Sequence, residues 1–470
     1  MDINEFAERI FLNLPYDPND QQIQLIASLA KFCAPQSRAE SVFILGGYAG
    51  TGKTSLTGAL VRALREATIP VVLLAPTGRA AKVFSAFSNF PAWTIHRRIY
   101  RGTEGGLSGL TPEVADNTLT NGVFIVDEAS MIGDSPAEGG THLLEDLLQY
   151  VYSGDGCRLI LLGDTAQLPP VGCSESPALS PDKLRSFGLH VTRAVLTEVV
   201  RQGSLSGILR NATRLRRSMR RDPLPAPRLS LADDVISVDG PDLEDSLSAS
   251  YSDYGLDDTL IVTRTNKRAV LFNLAIRTRL LGREEELCRD ERLMVAKNNY
   301  LWSAKVKGLD FVANGDMAVV EAIYGIETAY GLRFADVNLR LIDRDISFDC
   351  KVMLDTLTAE APALERDRFN ALYMALLNDP DLFSPTTPIK TRMRMLRSDP
   401  YLNALQVKYA YCVTCHKAQG GQWPSVYVDM GFTPADTAPL ENLRWLYTAV
   451  TRATERLALV NPPEEMIITG

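Results

Sequence analysis

Residues 47–54 read GYAGTGKT and follow the apolar run Val42-Phe43-Ile44-Leu45. The pattern is G-x-x-x-x-G-K-[ST], a phosphate-binding P-loop. A buried strand is expected to end there and a helix to begin, over residues 55–66. Gly47, Gly50 and Gly52, with Thr51 among them, let the backbone curl with its N–H groups pointing inward. Those groups and the helix N-terminus form a concavity for an anion. Lys53 can reach the β- and γ-phosphates of a nucleoside triphosphate, and the Thr54 hydroxyl can ligate Mg2+. A Gly-rich turn matching by chance is the bland alternative; a strand before and a helix after weigh against it.

Asp127-Glu128 follow the apolar stretch GVFIV. In such a pair Asp127 holds Mg2+, usually through water, and Glu128 orients and deprotonates the attacking water. Gly163-Asp164 with Gln167-Leu168-Pro169-Pro170 close another apolar run. Gln167 is placed to sense the γ-phosphate, the alternative being an ordinary polar turn. Arg201 in LTEVVRQ and Arg452 in LYTAVTRA are candidates to neutralise charge in a phosphoryl-transfer transition state. One arginine from each of two domains on a shared nucleotide would couple hydrolysis to domain closure.

A second chemistry is carried by short polar clusters around strand ends: Pro76-Thr77-Gly78-Arg79, Lys82, Thr94-Ile95-His96 and Thr414-Cys415-His416-Lys417. Hydroxyl, imidazole and ammonium groups suit nucleic-acid phosphates. Phe84, Phe90, Trp93 and Trp423 either stack bases or belong to the core, and the sequence leaves both open. In one short loop His416 and Lys417 can face phosphates while Gln419 faces the nucleotide, so the loop would report the γ-phosphate to the track. The alternative is that Gln419 only caps the Gly420-Gly421 turn.

These groups need a scaffold. Residues up to about 41 read as helical, with Asn19 as a cap and Gln22 at its third position, as in a capping box. Apolar strands are expected at 42–45, 70–75, 123–126 and 158–162. Alternating with helices, they imply an α/β fold: a parallel sheet, helices on both faces, ligands at the carboxyl ends of the strands. Residues 97–121 hold glycines without a helical period and suggest a small hairpin or loop excursion. Residues 208–221 are amphipathic: Ile208, Ala212, Leu215 and Met219 share one face, and Arg210, Arg214, Arg217 and Arg221 another, blandly a solvated basic face. A Pro-rich stretch at 223–227 and an acidic segment after it look like a domain crossing. A second α/β unit starts near 259, is interrupted over about 294–348 by β-rich sequence read as a small barrel, then by a helix at 365–377 and a Pro-rich loop, and resumes near 409.

The chain has 470 residues, about three domains at typical sizes. No apolar run approaches the ~20 residues of a membrane span, and Met1-Asp2-Ile3-Asn4-Glu5 lacks the positive start of a signal peptide. No membrane partner and a cytoplasmic location are expected. The 7 cysteines are spread along the chain, against a disulfide framework. Cys412-x-x-Cys415 has metal or redox spacing but no second such pair, so Cys412 is read as strand packing. The net charge of −8 argues against a basic coat, not against a local basic track.

In order, GYAGTGKT, APTGRAAK, TIH, VDEASM, GDTAQLPPV, LTEVVRQ, VTCHKAQGGQ and LYTAVTRA form a set that resembles a superfamily 1 DNA helicase. The resemblance covers residues 19–456. It is strongest to the RecD-like branch that includes the phage helicase Dda and the petite integration frequency family. Residues 132–156 lack the signature expected of true members of the latter family. The resemblance implies two RecA-like P-loop NTPase domains with ATP and Mg2+ in the cleft between them: residues 1–200, and residues 201–292 with 406–470. It implies a strand-separating pin within about 97–121 and an SH3-like domain within 293–405. Gln22 would read the adenine edge. Single-stranded DNA would cross both domains, with fork or tailed duplexes as substrates, 5′→3′ movement and a monomer as the minimal active form. Two rivals stand beside it. A P-loop kinase or other ATPase has no need of the TCHKAQG and TAVTRA segments, and a non-catalytic nucleic-acid-binding module has no need of an intact Lys53 and Glu128. A single-strand translocase with weak unwinding, or an RNA track, stays open.

Overall fold

The computed structural model describes residues 2–34, 40–48, 50–101, 113–134, 142–198, 206–304, 306–309, 311–434 and 437–468. The chain forms two compact units. One comprises Met1–Arg101, Glu113–Gly240 and Ala418–Gly470; the other contains Pro241–Lys417.

The first unit opens with helices Ile3–Leu12 and Asp20–Cys33. The Asn19 side chain accepts from the Gln22 N–H at 2.9 Å, and the Gln22 side chain accepts from the Asn19 N–H at 3.2 Å. The capping box is therefore complete at both ends. A six-stranded parallel sheet follows, in the order Ala92–Thr94, Val71–Ala75, Val123–Val126, Arg158–Gly163, Ser41–Gly47, His190–Leu196. Side chains alternate across it. Phe43 and Leu45 enter a core with Leu25, Leu29 and Leu60 on one face; Val42 and Ile44 enter a core with Leu144, Leu147 and Val151 on the other. Both faces are covered, as a parallel sheet requires.

Four strands are expected from the apolar runs, and six are present. His190–Leu196 lies at the sheet edge with most of its side chains in contact with solvent, so it carries no apolar run. Ala92–Thr94 is too short to show a period. The excursion near residue 97 starts with helix Ile95–Ile99 and an antiparallel pairing of Tyr100–Arg101 with Glu113–Val114; residues 102–112 lie outside the described residues.

The same unit holds a parallel ladder of Val235–Val238, Ala453–Val460 and Trp423–Asp429. Helices Gly207–Ser218 and Pro439–Val450 pack together beside it. The first of these is fixed at its start by Asp234, whose carboxylate accepts from Ser206 Oγ and the Gly207 N–H, both at 2.8 Å.

In the second unit, Thr259–Thr263 pairs in parallel with Cys412–Thr414. Five strands close a barrel: Arg292–Val295, Met317–Ala329, Leu332–Leu341, Ile346–Met353 and Leu405–Tyr409. Between the last two, helices Arg366–Leu377 and Ile389–Leu396 bury Leu372, Leu376 and Leu396 with the barrel residues Leu332, Phe334 and Met353. The second helix falls where a Pro-rich loop is expected; Pro388 is its N-cap. Among the described residues no helix is long and apolar enough to cross a membrane.

Candidate nucleotide site and the segments around it

The P-loop starts where Ser41–Gly47 ends, and the next helix, Lys53–Glu66, begins at Lys53 itself, two residues earlier than expected. Gly52 caps it at φ +78°, and a Cβ there would lie 2.5 Å from the Tyr16 hydroxyl and 2.7 Å from Gln22 Nε2. Only glycine fits, for backbone and for space. Thr51 is buried, and its hydroxyl donates to the Tyr48 carbonyl at 2.8 Å, folding the loop onto itself. Gln22 is fully buried, and Nε2 donates to the Thr51 carbonyl at 3.2 Å and to the Tyr16 hydroxyl at 3.2 Å. Its amide thus supports the loop from behind. Tyr16 carries no sequence signal: only the fold brings it under Gly52.

Asp127 and Glu128 stand at the end of Val123–Val126. Strand order places Arg158–Gly163 between that strand and the P-loop strand, so Gly163-Asp164 sits between the acidic pair and the loop. Lys53 acts electrostatically on both Asp127 and Asp164: burial pushes the two carboxyls up from their ordinary values, and the ammonium group pulls each back. Glu128 lies at φ +51°, a left-handed conformation that costs a non-glycine residue roughly 1 kcal/mol or more. Its N–H donates to Asp127 Oδ1 at 2.8 Å. Glu128 Oε2 and Gln167 Oε1 are among the buried acceptors that have no hydrogen-bond partner among the described residues. A cationic lysine, an amide-lined loop ending in Thr54 and two unsatisfied acceptors fit a polyphosphate, its water and its cation.

The loop after Asp164 is held by the C-terminal segments of the same unit. The Tyr447 hydroxyl donates to Asp164 Oδ2 at 2.5 Å. The Leu168 peptide is gripped at both ends: its N–H donates to Thr448 Oγ1 at 2.9 Å, and its carbonyl accepts from Gln419 Nε2 at 2.8 Å. Gln419 therefore touches the loop that carries Gln167. Tyr447 and Thr448 belong to LYTAVTRA, where the arginine alone draws attention in the sequence. Arg452 is 3% exposed, and its guanidinium donates to the Thr448 carbonyl at 3.0 Å, the Gly421 carbonyl at 3.0 Å and Thr451 Oγ1 at 3.2 Å. Arg201 lies outside the described residues.

The residues expected along a phosphate track are placed differently from one another. Thr77 and Thr94 cap helices, accepting from the Ala80 and Arg97 N–H groups. Arg79 lies 3.9 Å over the Trp423 ring and donates to the Gln422 carbonyl. Trp423 and Phe84 are buried and belong to the core, not to a stacking platform. Pro76 is half-buried and Lys82 is exposed. Gly420, at φ +74°, sits so close to Thr77 Oγ1 and Ala80 Cβ that a side chain there would meet both within 3.3 Å. In the other unit Thr414, His416 and Lys417 are half-buried, and Lys417 Nζ bonds to Asn314 Oδ1. Cys412 and Cys415 are both buried and not joined in a disulfide.

His96 is held neutral. Burial lowers its pKa to about 4, against the pull of Asp146. The unfolded chain, near 6.5, takes up a proton that the folded chain refuses. Stability is therefore expected to fall as pH drops from about 6.5 to about 4, with no further loss from this group below that. His96→Gln should flatten this part of a melting-temperature profile against pH; an unchanged profile would show that another group sets it.

Residues 19–226 match the family model of an AAA domain, and residues 409–460 that of a UvrD-like helicase C-terminal domain. An ATP-dependent RecD2 DNA helicase from Deinococcus radiodurans is 32% identical over 178 residues, 38% of this chain and 22% of that protein. An ATP-dependent DNA helicase Pif1 from Psychrobacter sp. is 31% identical over 140 residues, 28% of this chain and 20% of that protein. The matched segments thus span about a fifth of the length of these curated relatives. A crystal structure of a Pif1 helicase from Bacteroides in complex with ADP-AlF3 and single-stranded DNA is 16% identical, with coverage of 96% and 94% of the two chains and a TM-score of 0.48. The Pif1 helicase from Candida albicans gives 16% identity, 97% and 97% coverage and a TM-score of 0.45. The chain carries an AAA domain followed by a UvrD-like helicase C-terminal domain. Over the matched segments it is similar to RecD2 and Pif1 DNA helicases.

Proposed function

We propose that this protein is an ATP-dependent DNA helicase of the cytoplasm that moves on single-stranded DNA, 5′→3′, and separates duplexes at forks or tails. The observation that carries this reading is the grip of Gln419 and Thr448 on the Leu168 peptide, one residue from the unsatisfied Gln167. It links the catalytic edge of the sheet to the TCHKAQG and TAVTRA segments, which a plain P-loop kinase has no reason to carry. Glu128 takes the proton of the attacking water, Lys53 binds the β- and γ-phosphates, and Gln167 senses the γ-phosphate. Mg2+, held by Thr54 and Asp127, would supply neutralisation of the phosphate charge. The paired segments after helix Ile95–Ile99 serve as the base of a strand-separating pin, and the barrel as an SH3-like domain. Two RecA-like domains and a monomeric active form complete the reading.

The test is ATP hydrolysis with and without single-stranded DNA, then unwinding of 5′-tailed against 3′-tailed duplexes. Stimulation by DNA and a preference for 5′ tails are expected. No stimulation by any nucleic acid would overturn the reading.

Two further results are expected. The logarithm of DNA affinity should fall linearly with log salt, with a slope of about 0.7 per phosphate neutralised on a single strand; a flat response would remove the phosphate track. Gln419→Ala should leave nucleotide-free DNA affinity intact and still allow ATP binding, yet lose most of the DNA stimulation of hydrolysis, because the Leu168 carbonyl loses its hold. The ratio of rates with saturating DNA to those without reads this directly, and an unchanged ratio would route the signal elsewhere.

A further inference from the structure

The basic helix Gly207–Ser218 and the residues after it present their arginines unequally. Arg214 donates to Ser230 Oγ at 2.8 Å. Arg216 and Arg220 instead converge on Tyr48, the second residue of the P-loop. The Arg216 guanidinium carbon lies 4.1 Å from the centre of the Tyr48 ring, and that of Arg220 lies 5.6 Å from it. Arg220 also donates to the Tyr48 hydroxyl at 2.6 Å. The sequence pattern assigns neither residue to the basic face, which by helical spacing consists of Arg210, Arg214, Arg217 and Arg221.

Arg216 lies in the last turn of the helix and Arg220 just beyond its end. Here both are drawn to the same ring, whose negative face accepts cations. The backbone that carries the ring is held: the Tyr48 carbonyl accepts from the Thr51 hydroxyl, and Gly47 beside it ends the strand. The guanidinium groups are thus held against the second residue of a loop whose own N–H groups favour an anion. Planar guanidinium forks suit phosphate oxygens.

We propose that Arg216 and Arg220, oriented by Tyr48, form a cationic collar that binds the polyphosphate of the incoming nucleotide, adding two charges to that of Lys53. The collar rests on the nucleotide site proposed above. It discriminates by phosphate number: a nucleoside di- or triphosphate reaches it and a monophosphate does not. Tyr48 is a positioning residue, since its ring and hydroxyl hold the arginines and not the ligand.

The experiment measures binding of ATP, ADP and AMP to the full chain by calorimetry, for wild type, Arg216→Ala, Arg220→Ala, Arg216→Lys, Tyr48→Phe and Lys53→Ala. Each arginine-to-alanine variant is expected to weaken ATP and ADP about tenfold, the scale of one lost charge-assisted bond, and to leave AMP unchanged. Arg216→Lys should recover part of the loss. Tyr48→Phe, which keeps the ring under Arg216 and releases Arg220, should lose less than Arg220→Ala. Equal weakening of ATP and AMP would reduce the collar to packing and overturn it. Wild-type ATP binding in both arginine variants, with binding lost in Lys53→Ala, would overturn the collar and leave the nucleotide site standing. Wild-type binding in Lys53→Ala as well would bring down both.

Discussion

Glu128→Gln is expected to cut ATP turnover on the order of 10²–10⁴-fold, the usual contribution of a general base, while ATP and DNA binding persist. The reason is local. Glu128 Oε2 is buried with no hydrogen-bond partner among the described residues, which leaves its acceptor capacity open to a ligand. The substitution keeps the shape and removes only the basic lone pair and the charge. Because Glu128 also raises the pKa of the neighbouring Asp127, losing that negative charge relieves repulsion, and the variant should melt no lower than wild type. Single-turnover hydrolysis, equilibrium binding and a thermal melt together separate this from damage to the fold. Turnover at the wild-type rate would remove Glu128 from the chemistry.

Arg452→Ala is the second large effect. A transition-state arginine contributes on the order of 10³-fold or more, and ATP affinity should change far less. The structure adds a cost that a plain finger would not carry. Arg452 donates to the buried Gly421 carbonyl, and that acceptor left without a partner costs about 1–3 kcal/mol, whereas the Thr448 carbonyl keeps the Thr451 hydroxyl. The variant should therefore be both slow and less stable. Thr448 also grips Leu168, so disturbing the end of helix Pro439–Val450 reaches the loop that carries Gln167. Arg452→Lys recovers one of these contacts at most and should regain stability before it regains turnover. Normal DNA-stimulated turnover in the alanine variant would leave Arg452 as a strut and nothing more.

What the sequence determined by itself is what depends on neighbours in the chain. The P-loop is a strand, a glycine curl and a helix start within about a dozen residues, so its pattern is legible from neighbours in the chain alone. The capping box of Asn19 and Gln22 lies within four residues and is present as read. The strands leading to Asp127 and Asp164 are continuous apolar runs because both faces of the sheet are covered. Tertiary structure decided the rest. His190–Leu196 is a strand through its partner Ser41–Gly47, not through its own pattern. Trp423 is core because Arg79 and Gly421 close over it. Tyr16 supports Gly52 across 36 residues, and Gln419 reaches Leu168 across 251. The face that Arg216 and Arg220 present was set by Tyr48, more than 160 residues earlier in the chain. Periodicity reports which side of an element avoids water; it carries no information on which distant group waits there, because that is fixed only when the sheets and helices pack.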